Sequence, residues 1–132
     1  MSTNISESGS IDRVPFKQEN SLEKRTRLAA KIRAAHPDRV PVIVEKHARS
    51  KLIPDISKRK FLAPGDIAVT QLISEIRKHI ELRPDEAIFL FVNGHSLPQS
   101  GALLSQVYEK HKDEDGFLYI VYSADSMMGA SC

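Results

Sequence analysis

The chain has 132 residues and a single cysteine, at the last position, so an internal disulfide and a cysteine-based zinc site are both excluded. Its histidines (His36, His47, His79, His95 and His111) show no metal-ligand spacing. The first residues, Met1-Ser2-Thr3-Asn4, carry neither a basic nor an apolar signal region. No apolar run approaches the ~20 residues needed to span a bilayer. The expectation is a soluble cytosolic domain, in which the sequon Asn4-Ile5-Ser6 has no secretory route to make it meaningful. A strong charge of one sign is also missing. Nineteen Lys+Arg against seventeen Asp+Glu leave a net +2, too little to imply nucleic acid by itself.

Catalytic signatures are equally sparse. No glycine-rich phosphate cradle is present. Gly94-His95-Ser96-Leu97-Pro98 imitates a nucleophile elbow, but Pro98 replaces the closing glycine and the chain is too short for the large parallel sheet that motif requires. Asp113, Asp115 and Gly116 resemble a fragment of a calcium loop whose other ligand positions are absent. The expectation is a non-enzyme with neither metal nor cofactor.

What is present suits one small domain: 41% hydrophobic and 27% charged residues, enough for a modest core. Residues 1–15 are Ser-rich and aperiodic and read as a disordered arm. Ser21 can cap a helix running to Ala35, with Leu22, Leu28, Ala29, Ile32 and Ala35 near helical spacing. Lys24, Arg25, Arg27, Lys31 and Arg33 fall on its other face and read as solvated. His36-Pro37 ends it, because a residue before proline resists the α region. Val40, Val42 and Val44 then alternate as a strand, and Phe61-Leu62-Ala63 forms a second, stopped by Pro64-Gly65.

Val69, Leu72, Ile73, Ile76 and Ile80 make one helical stripe. Residues 87–92 read as a strand closed by Asn93-Gly94, and Leu103, Leu104, Val107 and Tyr108 as a short helix. The final strand, Phe117 to Tyr122, is apolar on both faces and belongs in the middle of a sheet, covered from two sides. Helix, strand, strand, helix, strand, helix, strand is the order of a β-grasp. The expected class is α+β with a four-stranded mixed sheet, its first and last strands adjacent, and an additional N-terminal helical segment. The domain is placed at 16–122, with a flexible tail at 123–132.

Several stretches carry a resemblance. Pro37-Asp38-Arg39-Val40-Pro41-Val42-Ile43-Val44-Glu45-Lys46, Lys60-Phe61-Leu62-Ala63-Pro64, Ala87 to Asn93 and Asp115 to Ser123 are similar to the ubiquitin-like autophagy modifiers of the GABARAP and light-chain-three family. The likeness covers about residues 16 to 129. It implies a precursor cut by a cysteine protease after Gly129 and passed through activating and conjugating enzymes. The glycine carboxylate then joins phosphatidylethanolamine, which takes the protein from the cytoplasm to autophagosomal membranes. It also implies that aromatic-x-x-aliphatic peptides of cargo receptors dock as an added strand on Lys60-Phe61-Leu62. By the same likeness, a first pocket draws on Ile32, Pro41, Ile43, Lys60, Leu62 and Phe117. A second draws on Phe61, Ala63, Pro64, Ile67, Leu72 and Arg77. Truncating Leu62 or Ile43 is expected to weaken such a peptide without unfolding the domain.

The chain departs from the family pattern at Met128, where an aromatic residue is usual, and at Glu75, where an aliphatic wall is usual. Small insertions near residues 47–60 and 95–106 shift the matching by about one position. Two other classes compete with this reading: an unconjugated ubiquitin-like adaptor, and a basic module binding microtubules, RNA or acidic membranes. Against nucleic acid stands the placement of the aromatics in two-faced strands rather than on an open stacking surface.

Overall fold

The computed structural model describes residues 14–97 and 101–124. Most of the Ser-rich arm and most of the tail, Gly129 included, lie outside the described residues. The elements run α1 (Phe16–Glu19), α2 (Leu22–Ala35), β1 (Arg39–Lys46), β2 (Lys60–Pro64), α3 (Val69–Arg77), β3 (Phe89–Val92), β4 (His95–Leu97), α4 (Leu104–His111) and β5 (Leu118–Ser123). Ser21 caps α2 as its sequence suggests, its hydroxyl accepting the Lys24 N–H at 3.1 Å.

Among the described residues the sheet has five strands, not four, in the order β2-β1-β5-β3-β4. The extra strand is β4. Asn93 and Gly94 both have positive φ (52° and 77°), which produces the hairpin turn whose twist matches the strands and folds His95–Leu97 back onto β3. Ser96 therefore sits in a strand, not at a strand-to-helix elbow. At the centre β1 and β5 pair in parallel, with Val42 opposite Leu118 and Val44 opposite Ile120. First and last strands are adjacent, as the element order requires.

Strand alternation sends the central side chains to two unequal layers. Val40, Val42 and Val44 join Leu118, Ile120 and Tyr122 under α3 and α4, where Leu72, Ile76 and Leu104 complete a large aliphatic cluster. On the opposite face Ile43 and Phe117 pack with Phe16 of α1 and Ala29 of α2. Only part of β5's second face is sealed: Phe117 is buried, but Tyr119 and Val121 are half-buried. Beyond α1 lies a cleft of about 470 Å³, lined by Pro15, Glu45, His47, Ala48, Ile56 and Val121 among others. Cover from two sides holds for one end of the strand alone.

The α2 pattern is corrected in the same way. Its sealed residues are Ala29 and Arg25, whereas Leu22 is 44% exposed. Arg25 leaves the solvated face because Asp115 is buried opposite it: Nε donates to Oδ2 at 2.8 Å, with the Asp115 side chain wholly shielded. Helix and turn approach closely at Gly116, where φ is +94° and a Cβ would come within 3.0 Å of the Ala29 methyl. No helix among the described residues is long and apolar enough to cross a membrane.

Candidate functional site

β2 is an edge strand, and its register decides what it offers. The Val44 N–H donates to the Arg59 carbonyl at 2.8 Å, and Phe61 faces Val42. By antiparallel alternation, the backbone groups of Phe61 then face β1 while those of Lys60 and Leu62 turn outward. The Leu62 carbonyl takes only a long 3.4 Å contact from the Arg39 guanidinium. Among the described residues no strand pairs with this edge, and such an edge is a template for an added strand.

Side chains on either face of this edge sort as alternation demands. Leu62 lies opposite Pro41 and Lys60 opposite Ile43, on the α2 side. There Ile32 and Leu62 are half-buried, Lys60 is exposed, and Pro41, Ile43 and Phe117 are buried beneath them. Leu28, read from sequence as part of the helix stripe but not of the first pocket, packs against the same cluster. Ile43 is 0% exposed, so it is a floor and its truncation opens a cavity. Shortening Ile43 therefore carries a stability cost that shortening the half-buried Leu62 does not.

On the α3 side, Phe61 and Ala63 are buried at 7% and 8% exposure, Leu72 at 1%, and Ile67 packs against them half-buried. Pro64 and Arg77 are also half-buried. Two residues overlooked in the sequence stand on Phe61. The His79 ring meets it edge-on at 5.3 Å between centroids, and the Lys58 ammonium lies 5.0 Å over its face. The spacing Glu75 to His79, i to i+4 from the end of α3, was the signal available. Glu75 itself is exposed, with its carboxylate 3.4 Å from Lys78 Nζ and 3.9 Å from His79 Nε2.

The α1/α2 layer that forms the first wall is held by polar contacts in addition to its apolar cluster. Asp115 Oδ1 accepts the Phe117 N–H at 2.8 Å, and Oδ2 accepts from Arg25 and from the Tyr119 hydroxyl at 2.5 Å. Arg25 also donates to the Asn20 carbonyl at 2.9 Å, which closes the α1–α2 junction. The hydrogen bond to Asp115 raises the Arg25 pKa above its already high ordinary value. Burial, then the hydrogen bond to Asp115, pushes the Tyr119 hydroxyl far above the usual phenol range. Partial burial pushes the Asp113 carboxyl up. The Lys17 ammonium at 2.8 Å, the Asp115 N–H and the charge of Arg25 outweigh that and hold it below the ordinary carboxylate value. Arg59 contacts the Glu19 carboxylate and donates to the Val14 carbonyl at 2.8 Å, and Glu45 accepts the Phe16 N–H at 2.7 Å.

Among the described residues no group of three or more His, Cys, Asp or Glu side chains is placed to hold a metal ion. Asp113 and Asp115, which imitate a calcium loop in sequence, are turned instead toward Lys17 and Arg25.

A mixed sheet with parallel first and last strands at its centre, a helix across one face and an N-terminal helical pair on the other define a ubiquitin-like domain. Residues 24–129 match the family model described as autophagy protein Atg8, ubiquitin like. An autophagy-related protein 8-like protein of Dictyostelium discoideum is 53% identical over 118 residues, covering 87% of this chain and 93% of its own length. Autophagy-related protein 8 of Mycosarcoma maydis is 51% identical over 117 residues, covering 89% and 98%. The crystal structure of Trypanosoma brucei ATG8 superposes with a TM-score of 0.77 at 41% identity, covering 85% of this chain and 95% of that one. The chain belongs to the Atg8 family and is an autophagy-related ubiquitin-like protein.

Proposed function

We propose that this protein is a lipid-conjugated modifier that carries peptide-bearing cargo receptors to autophagosomal membranes. The observation that carries the docking half is the β2 edge. It offers outward backbone groups at Lys60 and Leu62, with half-buried apolar side chains on either face, Ile32 and Leu62 on one and Ile67 and Pro64 on the other. An aromatic-x-x-aliphatic peptide added as a strand would send its two anchors to those two faces. Burying each removes one large side chain from water, worth ~1.5–3 kcal/mol before association costs.

The conjugation half rests on family membership and on Gly129. A cysteine protease first hydrolyses the Gly129–Ala130 bond, water supplying the new carboxylate and amine. An activating enzyme then uses a nucleoside triphosphate to convert the Gly129 carboxylate into an acyl adenylate, releasing diphosphate, and a cysteine thiol displaces the nucleotide to form a thioester. The conjugating enzyme passes that acyl group to the amine of phosphatidylethanolamine, forming an amide and freeing the thiol. A residue without Cβ suits the narrow channels such enzymes impose. Met128 keeps the preceding position apolar and adaptable. Two acyl chains then anchor the protein stably where one would not. The protein moves by this route from cytoplasm to membrane.

The test is reconstitution with the processing protease, the activating and conjugating enzymes and phosphatidylethanolamine liposomes, read by intact mass. The expected product ends at Gly129 and carries one phospholipid, and Gly129→Ala gives none. A chain that binds peptide yet never acquires lipid is an unconjugated adaptor. A lipid on Cys132 instead of Gly129 overturns the assignment of the anchor.

A further inference from the structure

Leu52 is 100% exposed, whereas its neighbours Ile53 and Ile56 are buried at 5% and 2%. Its exposure is fixed by the fold, because the loop around it is fastened on both sides. The Tyr122 hydroxyl donates to the Pro54 carbonyl at 2.6 Å, and the His47 N–H donates to the Tyr122 carbonyl at 2.8 Å. Buried Ser50 accepts the Ala124 N–H on its hydroxyl at 3.2 Å. The loop that presents Leu52 is therefore stitched to the point where the chain leaves β5. Exposed Arg49 and Lys51 precede the leucine.

We propose that the Arg49–Leu52 loop is a membrane-contact site, Leu52 entering the interfacial zone of a bilayer while Arg49 and Lys51 face anionic lipid headgroups. The proposal rests on conjugation at Gly129. From Ala124 to Gly129 the chain spans at most about 17 Å even when fully extended. A lipid on Gly129 thus keeps this loop within one short leash of the membrane. The opposite end of β1 lies a strand length further away, roughly 26 Å for eight residues. An exposed apolar side chain directly after two cations, held beside the leash, is a composition that suits an anionic interface.

The chain contains no tryptophan and one cysteine, so a single reporter and a single tether can be placed. The full chain is linked through Cys132 to vesicles bearing a maleimide-headgroup lipid, with or without phosphatidylserine. Leu52→Trp is compared with Leu103→Trp. Leu103 is also exposed and lies at the far end of the sheet, beside the Ala68 bridge. Circular dichroism verifies that each variant folds.

On phosphatidylserine vesicles the L52W emission should move to shorter wavelength and be quenched by brominated lipids, while L103W stays water-like. Adding Lys51→Gln to L52W should lower the docking equilibrium constant about fivefold, the value of one basic residue near an anionic surface. Water-like emission from L52W, equal quenching at both positions, or the same signal on neutral vesicles would each overturn the proposal. The thioether bypasses every conjugating enzyme, so failure here leaves the Gly129 reading intact. Failure of that reading appears separately, as an absent phospholipid adduct.

Discussion

Under α3 and α4, Val42, Val44, Ile76, Leu104, Leu118, Ile120 and Tyr122 are sealed from water in one continuous apolar cluster. Across the sheet, the buried residues of the second cluster among those described are four: Phe16, Ala29, Ile43 and Phe117. There α1 and α2 are held in addition by Arg25–Asp115, Lys17–Asp113 and the contacts of Arg59. Apolar burial is cooperative and indifferent to pH, whereas a few ionic and hydrogen-bonded contacts depend on single groups and on charge state. One face thus secures the domain, and the other carries a layer that single substitutions can loosen. The proposed peptide edge is built from both.

The strongest way to break that contrast is to strike each layer once. Ile76→Ala should destabilise the whole domain by about 3–4 kcal/mol in urea unfolding, because a fully buried aliphatic is replaced by a cavity. Asp115→Ala should cost roughly 3 kcal/mol, since it strands a buried arginine and removes the acceptor for the Phe117 N–H and the Tyr119 hydroxyl. Its signature should be local: proteolysis within α1 and α2 at denaturant concentrations where the sheet survives. If Asp115→Ala leaves a single transition with no early cleavage, the two layers are one cooperative unit.

Peptide binding sharpens the comparison at the shared edge. Leu62→Ala should weaken an aromatic-x-x-aliphatic peptide by ~1–2 kcal/mol in titration calorimetry with little change in unfolding midpoint, because Leu62 is only half-buried. Ile43→Ala should lower both affinity and stability. Equal behaviour of the two variants would mean that Leu62 is also a core residue.

Glu75→Leu is expected to do less, under ~1 kcal/mol. It removes an exposed carboxylate and frees His79, and should favour a peptide with a large aliphatic second anchor over its Ala counterpart. No change in that ratio would place Glu75 outside the pocket.

The smallest expected effects are those of pH, and they belong to the polar layer alone. Asp113 has its pKa lowered by the fold, so its contribution is present above the ordinary carboxylate range and lost as pH falls below about 4. Tyr119 has its pKa raised, so its contribution is complete below about pH 10 and lost as pH rises beyond. Tyr119→Phe should flatten the alkaline limb of a stability–pH curve and leave the acid limb unchanged. A steep alkaline limb surviving in Tyr119→Phe would assign it to another group.

Much of this could be read from residues that report on their own neighbours. Val40, Val42 and Val44 alternate, Val69 to Ile80 repeat every three or four residues, and Ser21 can cap only a helix that starts directly after it. These local rules determine strands, helices and their order, and the order constrains the sheet because few topologies avoid crossed connections. Asn93-Gly94 also announced a turn, but three residues of β4 carry too little pattern to declare a strand. What the tertiary structure alone decided is which side chains lose water. Arg25 has the composition of a solvated face and is buried, because Asp115, ninety positions away, offers the carboxylate that compensates its desolvation. Ile43 and Leu62 are both aliphatic strand residues on one face of the sheet, yet one is a sealed floor and the other a half-open wall. Leu62 stands on the edge strand and Ile43 under α1 and α2, and burial depends on what lies opposite a residue, which no local pattern records.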